Sequence, residues 1–141
     1  MIETISYENR LFAIIIPSDF SEPGVNFCTP HNLSQQLAFI KHEPGKLIEP
    51  HIHNPVPREV LHTQEVLIIK KGKLRVDFYD DSRVIVASRE LSSGDVILLA
   101  EGGHGFEVLE ELEMIEVKQG PYAGECDKTR FVKEKNKNVE G

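Results

Sequence analysis

Hydrophobic residues in this chain fall in short, β-branched runs, and Gly, Pro, Asn, Asp and Ser interrupt them before a helical period can build. The run Leu11-Phe12-Ala13-Ile14-Ile15-Ile16 stops at Pro17 and predicts a buried strand. Residues 17–34, punctuated by Pro17, Pro23, Gly24 and Pro30, predict loop. Strands are expected next over 36–42 and 49–53. Between 54 and 64, Pro55 and Pro57 each remove a backbone donor and fix φ, so a stiff loop is expected there.

Residues 65–70 predict a strand with Glu65, Leu67 and Ile69 on one face and Val66 and Ile68 on the other. Apolar side chains on both faces imply burial on both sides or contact with another subunit. Lys71-Gly72 predicts a turn. Residues 73–79 then alternate, with Leu74, Val76 and Phe78 one way and Lys73, Arg75 and Asp77 the other, the pattern of a half-buried strand. Further strands are expected over 83–87, 96–99, 106–109 and 112–118, separated by turns such as Ser92-Ser93-Gly94-Asp95. From Val132 the residues are Lys, Glu and Asn with little to bury, so 132–141 is expected to be a disordered polar tail. Many short strands with frequent turns, and no internal repeat, predict one all-β sandwich or barrel domain over 1–131.

Composition narrows the partners. A chain of 141 residues, 40% hydrophobic, can bury a core of its own. A net charge of −7 argues against nucleic acid or an anionic membrane surface as the main partner. Small anionic molecules remain compatible, given a local basic pocket. Cys28 and Cys126 are far apart and belong to no CxxC, which predicts free thiols in a cytoplasmic protein. The N-terminus carries Glu3 and Glu8 and no basic stretch, unlike a signal peptide. The run 11–16 is too short to cross a bilayer.

The residues with the clearest chemistry are His51 and His53. At i and i+2 of a strand, two imidazoles point the same way. A carboxylate on a neighbouring strand, Glu65, and a third histidine, His104, would complete a nitrogen–oxygen donor set for one divalent metal. The set leaves coordination positions open, and Mn, Fe, Ni, Zn and Co suit it about equally. The plainer readings are histidines that only hydrogen-bond within a pocket and a glutamate at a strand edge. His62, three residues before Glu65, is placed to cover a pocket mouth, or to sit on the surface. His31 and His42 carry no spacing signal.

In this arrangement the chain resembles the cupin superfamily. Gly45, His51 and His53 match the first half of the G-x5-H-x-H…E-x6-G motif, and Glu65 and Gly72 match the second half. The 11 residues 54–64 replace a usual gap of three or four. Gly94, Gly102 and His104 follow the second motif, with Ala100 where a proline is usual and one residue fewer before the histidine. The resemblance covers roughly 35–120 and implies a single-domain double-stranded β-helix, or jelly-roll barrel, holding one metal through His51, His53, Glu65 and His104. Residues 115–131, which contain Gly120-Pro-Tyr122-Ala-Gly124-Glu-Cys-Asp127 and Arg130-Phe131, resemble the closing segment of cupin-type phosphomannose isomerases. This implies kinship with carbohydrate-handling cupins and a sugar derivative as ligand.

The leading expectation is a metal-dependent isomerase of sugar phosphates or nucleotide sugars. Glu107, near His104, is the candidate base. Arg130 with Lys128, then Arg58 and His62, are the candidate ligand-binding residues, because a guanidinium fork matches phosphate geometry. For Arg130 the competing expectation is an ion pair with Asp127. Two other classes remain open: an Fe- or Mn-dependent dioxygenase, and a non-catalytic sugar- or metabolite-binding module. Outward Val66 and Ile68, with the family's habit of pairing through strands, lead to the expectation of a homodimer.

Overall fold

The six residues of the first apolar run, with Arg10 before them, form the strand that anchors the fold. The computed structural model describes residues 1–133, so most of the tail expected over 132–141 lies outside the described residues. The chain order is β1 (Glu3–Tyr7), β2 (Arg10–Ile16), β3 (Gly24–Phe27), β4 (Ala38–Lys41), β5 (Glu65–Tyr79), β6 (Ile85–Ser92), β7 (Val96–Leu99) and β8 (Gly103–Lys118), then a single 3-10 turn over Gly124–Asp127. The fold is all-β: one curled, antiparallel half-barrel sheet with the path β1-β2-β7-β5-β6, β8 alongside β5, and a separate β3–β4 hairpin.

β5 positions everything else. Its first residues, Glu65 to Ile68, lie between β7 and the end of β8. Its later residues, Lys73 to Tyr79, lie between β6 and the start of β8. Glu65 and Phe78 are 13 residues apart, about 43 Å in a straight strand. His104 is the β8 partner of Phe78, yet its Nε2 lies 3.8 Å from Glu65 Oε2. The β5–β8 ribbon is therefore bent back on itself. The bend falls where its register shifts, between Ile69 and Leu74. Gly72 sits there with φ +93°. A Cβ at that position would overlap the Glu111 carbonyl oxygen, so only glycine lets the two backbones meet this closely.

Inside the curl, Phe12, Leu67, Ile69, Leu74, Val76, Phe78 and Ile97 are at most 1% exposed. They join Ile5, Ile15, Leu91 and Leu99 in one core. The burial follows the alternation expected for 73–79, with Leu74, Val76 and Phe78 facing in.

Several boundaries differ from expectation. Lys71-Gly72 is a bend within β5, because the register shift absorbs the turn without ending the pairing. The two strands expected over 106–109 and 112–118 are one strand, β8, continued by pairing to both halves of β5. Residues 49–53 form no strand, and every residue from 42 to 62 is exposed and outside regular structure. β1 has only Ile5 fully buried, which is too weak a period to read. β3 lies in the segment expected as loop and, among the described residues, pairs only with β4. Arg83, expected to open a strand, has φ +65° and belongs to the preceding turn. Lys133, expected in the free tail, donates to Asp77 Oδ2 at 3.0 Å.

Candidate functional site

The bend brings the start of β5 to the start of β8, and a cleft of about 780 Å³ opens beside them. Its wall includes Glu65 from β5, His104 and Phe106 from β8, and the segment from Asp127 to Lys133. That segment lies along the strands because its side chains are tied to them. The Phe131 ring packs edge-on against Tyr79 at 5.1 Å, and Lys133 pairs with Asp77. Asp127, at its other end, accepts a hydrogen bond from Thr63, next to the start of β5.

Glu65 is 9% exposed. Its Oε1 lies 3.6 Å from Lys118 Nζ, its antiparallel partner across the ribbon. Burial pushes the Glu65 carboxyl above its ordinary range and Glu116 adds to the push, while Lys118 and Lys128 oppose it without cancelling it. Burial lowers the His104 imidazole below its ordinary range, and Lys118 and Lys128 lower it further against the pull of Glu116. Both shifts favour uncharged forms. The 3.8 Å approach is longer than a direct hydrogen bond. The His104 ring also stacks on Phe106, 5.5 Å between centroids and 21° between planes.

On the opposite face of the ribbon, Arg75 bridges two carboxylates. Its Nη2 is 2.5 Å from Glu107 and its Nε 3.2 Å from Asp77. Asp77 is 5% exposed and accepts from Ser88, Lys133 and Arg75. Burial is the largest single influence on its carboxyl and raises it. The three donors together outweigh burial, and the net shift is downward.

The expected site residues are distributed unevenly. Glu65, His104, Lys128, Arg130 and Glu107 all line the cleft. Glu107 alternates to the face away from His104 and is engaged by Arg75. Arg130 pairs with Glu125 at 2.5 Å, and Asp127, the expected partner, bonds Thr63. Arg58 and His62 line a smaller adjoining hollow of about 480 Å³, which shares Thr63 and Asp127 with the main cleft. His51 and His53 are neighbours, with ring centroids 5.1 Å apart, but both are exposed and neither lines these clefts. His51 Nδ1 lies 2.8 Å from the Glu49 carbonyl oxygen. Among the described residues, no group of three or more His, Cys, Asp or Glu side chains is placed to hold a metal. Within one chain, then, the expected donor set is split between the cleft and an exposed segment.

Arg75, Asp77, Tyr79, Phe106 and Lys133 were not read from the sequence as cleft residues, although all of them line it. The available signal was Arg75 and Asp77, two opposite charges on the outward face of an otherwise apolar strand. What buries Asp77 is a segment more than 50 residues later, which strand alternation does not register.

Comparison with protein-family models, with curated proteins and with solved structures found no match to this chain. No helix among the described residues is long and apolar enough to cross a membrane.

Proposed function

We propose that this protein is a cupin-type enzyme of carbohydrate metabolism that isomerises or epimerises a phosphorylated or nucleotide-linked sugar by proton transfer. The observation that carries this reading is one cleft that joins a buried carboxyl and a half-buried imidazole to cations and an aromatic face. Glu65 and His104, 3.8 Å apart, are the pair that hands a proton between carbon and oxygen. Phe106, stacked beside His104, offers an apolar surface to a sugar ring. Lys128 and Arg130 line the same cleft and suit a phosphate. Glu107 is less available to a substrate, because Arg75 engages its carboxylate. The resemblance of residues 115–131 to sugar-phosphate isomerases supports the same substrate class.

The test is solvent isotope exchange. A panel of aldose phosphates, ketose phosphates and nucleotide sugars is incubated with the protein in heavy water, and deuterium entry next to the carbonyl is followed by proton NMR. At least one substrate should exchange, and Glu65→Gln or His104→Gln should abolish exchange while leaving the melting temperature near wild type. Ligand-induced stabilisation without exchange would replace the enzyme by a binding module. Oxygen uptake on iron loading, without exchange, would replace it by an oxygenase. The absence of both exchange and stabilisation across the panel would refute a carbohydrate role.

A further inference from the structure

Beyond β8 the chain returns along the ribbon without joining its ladder. From 129 to 133 no backbone group bonds another backbone group among the described residues. Side chains hold this segment, and they do so at its two ends. At the near end Asp127 accepts a hydrogen bond from Thr63 Oγ1. At the far end the Phe131 ring meets Tyr79 edge-on at 5.1 Å, and the Arg83 guanidinium lies 5.1 Å from its centroid. Lys133 Nζ donates to Asp77 Oδ2 at 3.0 Å.

The far end sits in a notch that β8 leaves open. Tyr79 and Asp77 are paired across the ribbon with Gly103 and Gly105, so no β8 side chain stands beside them on the outer face. A Cβ at Gly103 would lie 3.5 Å from Phe131 Cζ, so the ring fills the space a β8 side chain would otherwise take. The notch can be vacated without leaving a buried charge alone. When Lys133 departs, Asp77 keeps Ser88 at 2.5 Å and Arg75 at 3.2 Å. Aromatic and cation–π contacts at the surface are each weak. β5 and β8, by contrast, are joined by a long backbone ladder. The wall of the cleft that can move is therefore the one made by 128–133.

Between its two ends the segment carries Lys128 and Arg130, which line the cleft. Lys128 is close enough to Glu65 and His104 to bias the ionisation of both. Arg130 is paired with Glu125, and the two side chains are 68% and 73% exposed. A phosphate can take over a guanidinium from so exposed a partner at little cost. We propose that residues 128–133 are a strap over the cleft: it swings out about Asp127 when Phe131 and Lys133 leave their notch, and a phosphorylated ligand draws it shut through Lys128 and Arg130. The strap rests on the reading of these two cations as the partners of the phosphate. Linkage makes the effect reciprocal. The ligand holds Phe131 in its notch, although that ring packs against Tyr79 on the face of the ribbon away from His104.

The experiment follows the Phe131 ring by fluorine NMR. A fluorine label is placed at the para position of this ring in the full chain, and the free peptide 124–133 with the same label supplies the signal of a released ring. Wild type should show a closed signal in exchange with a minor released one. Lys133→Ala removes one of the two pins and leaves the cleft cations in place, and it should raise the released-to-closed ratio about fivefold. Inorganic phosphate, then the aldose phosphates used for isotope exchange, should lower that ratio in both proteins by more than sodium chloride at matched ionic strength. In Lys128→Ala with Arg130→Ala they should not change it. A single closed signal that Lys133→Ala leaves unchanged would overturn the strap. A released signal that no phosphate compound reduces would overturn its closure by ligand. Activity is read separately. Closure by phosphate without isotope exchange would keep the strap on a binding module, and isotope exchange with an immobile ring would keep the enzyme and remove the strap.

Discussion

Replacing Gly72 by alanine tests the bend that brings Glu65 to His104. Two costs apply. At φ +93° an L-residue is strained by roughly 1–2 kcal/mol. The new Cβ also overlaps the Glu111 carbonyl oxygen and lies 2.8 Å from its carbon, both backbone atoms that cannot rotate away. Forcing a methyl into a closed space costs about 1–3 kcal/mol more. Alanine restricts the unfolded chain and returns about 0.4–1 kcal/mol. The net loss is about 1–5 kcal/mol, which lowers the melting temperature of a domain this size by roughly 4–18 °C. Gly124→Ala is the matched control. Its φ is +76°, but nothing lies within 4 Å of the added Cβ, so only the backbone cost remains. That leaves about 1 kcal/mol, or roughly 4 °C. Thermal and urea melts of both variants decide the matter. Should the two melt within about 2 °C of each other, the closeness of the backbones at Gly72 is not what limits that position, and the account of the bend fails.

Three further outcomes follow from the same structure. Asp77 has its folded pKa depressed, so its contribution to stability is full above the ordinary aspartate range and is lost as pH falls through the folded value. Urea melts between about pH 7 and pH 3 should show wild type losing stability more steeply than Asp77→Asn, and equal slopes would contradict the assigned network. Leu74→Ala, in a fully buried position between β6 and β8, should cost about 2–5 kcal/mol in the same melts. A loss under about 1 kcal/mol would mean that the core around Leu74 collapses to fill the space. Lys128→Ala with Arg130→Ala should weaken binding of a phosphorylated sugar by about tenfold or more, and leave its unphosphorylated counterpart unaffected, by calorimetry. Equal weakening of both ligands would place the phosphate elsewhere.

The sequence by itself determined the all-β class and the core positions of its clearest strands, though not Ile5 or Leu91. The unbroken run 11–16 and the alternation over 73–79 are local patterns, and burial followed them at Ile14, Leu74, Val76 and Phe78. The turn at 92–95 and the strand Val96–Leu99 were legible for the same reason. Chemistry next to those strands was legible in part: Glu65 and His104, on different strands, do meet. Only the tertiary structure decided what depends on two distant segments at once. Gly72 read as a turn because a glycine after a lysine says nothing about whether pairing continues beyond it. It continues because β8 follows both halves of β5 around the bend. Asp77 read as an outward charge and is buried because residues up to Lys133 cross it. His51 and His53 kept the proximity their spacing predicts but not the strand. Spacing fixes which way two side chains point relative to each other, whereas a strand exists only where a second backbone takes up its hydrogen bonds.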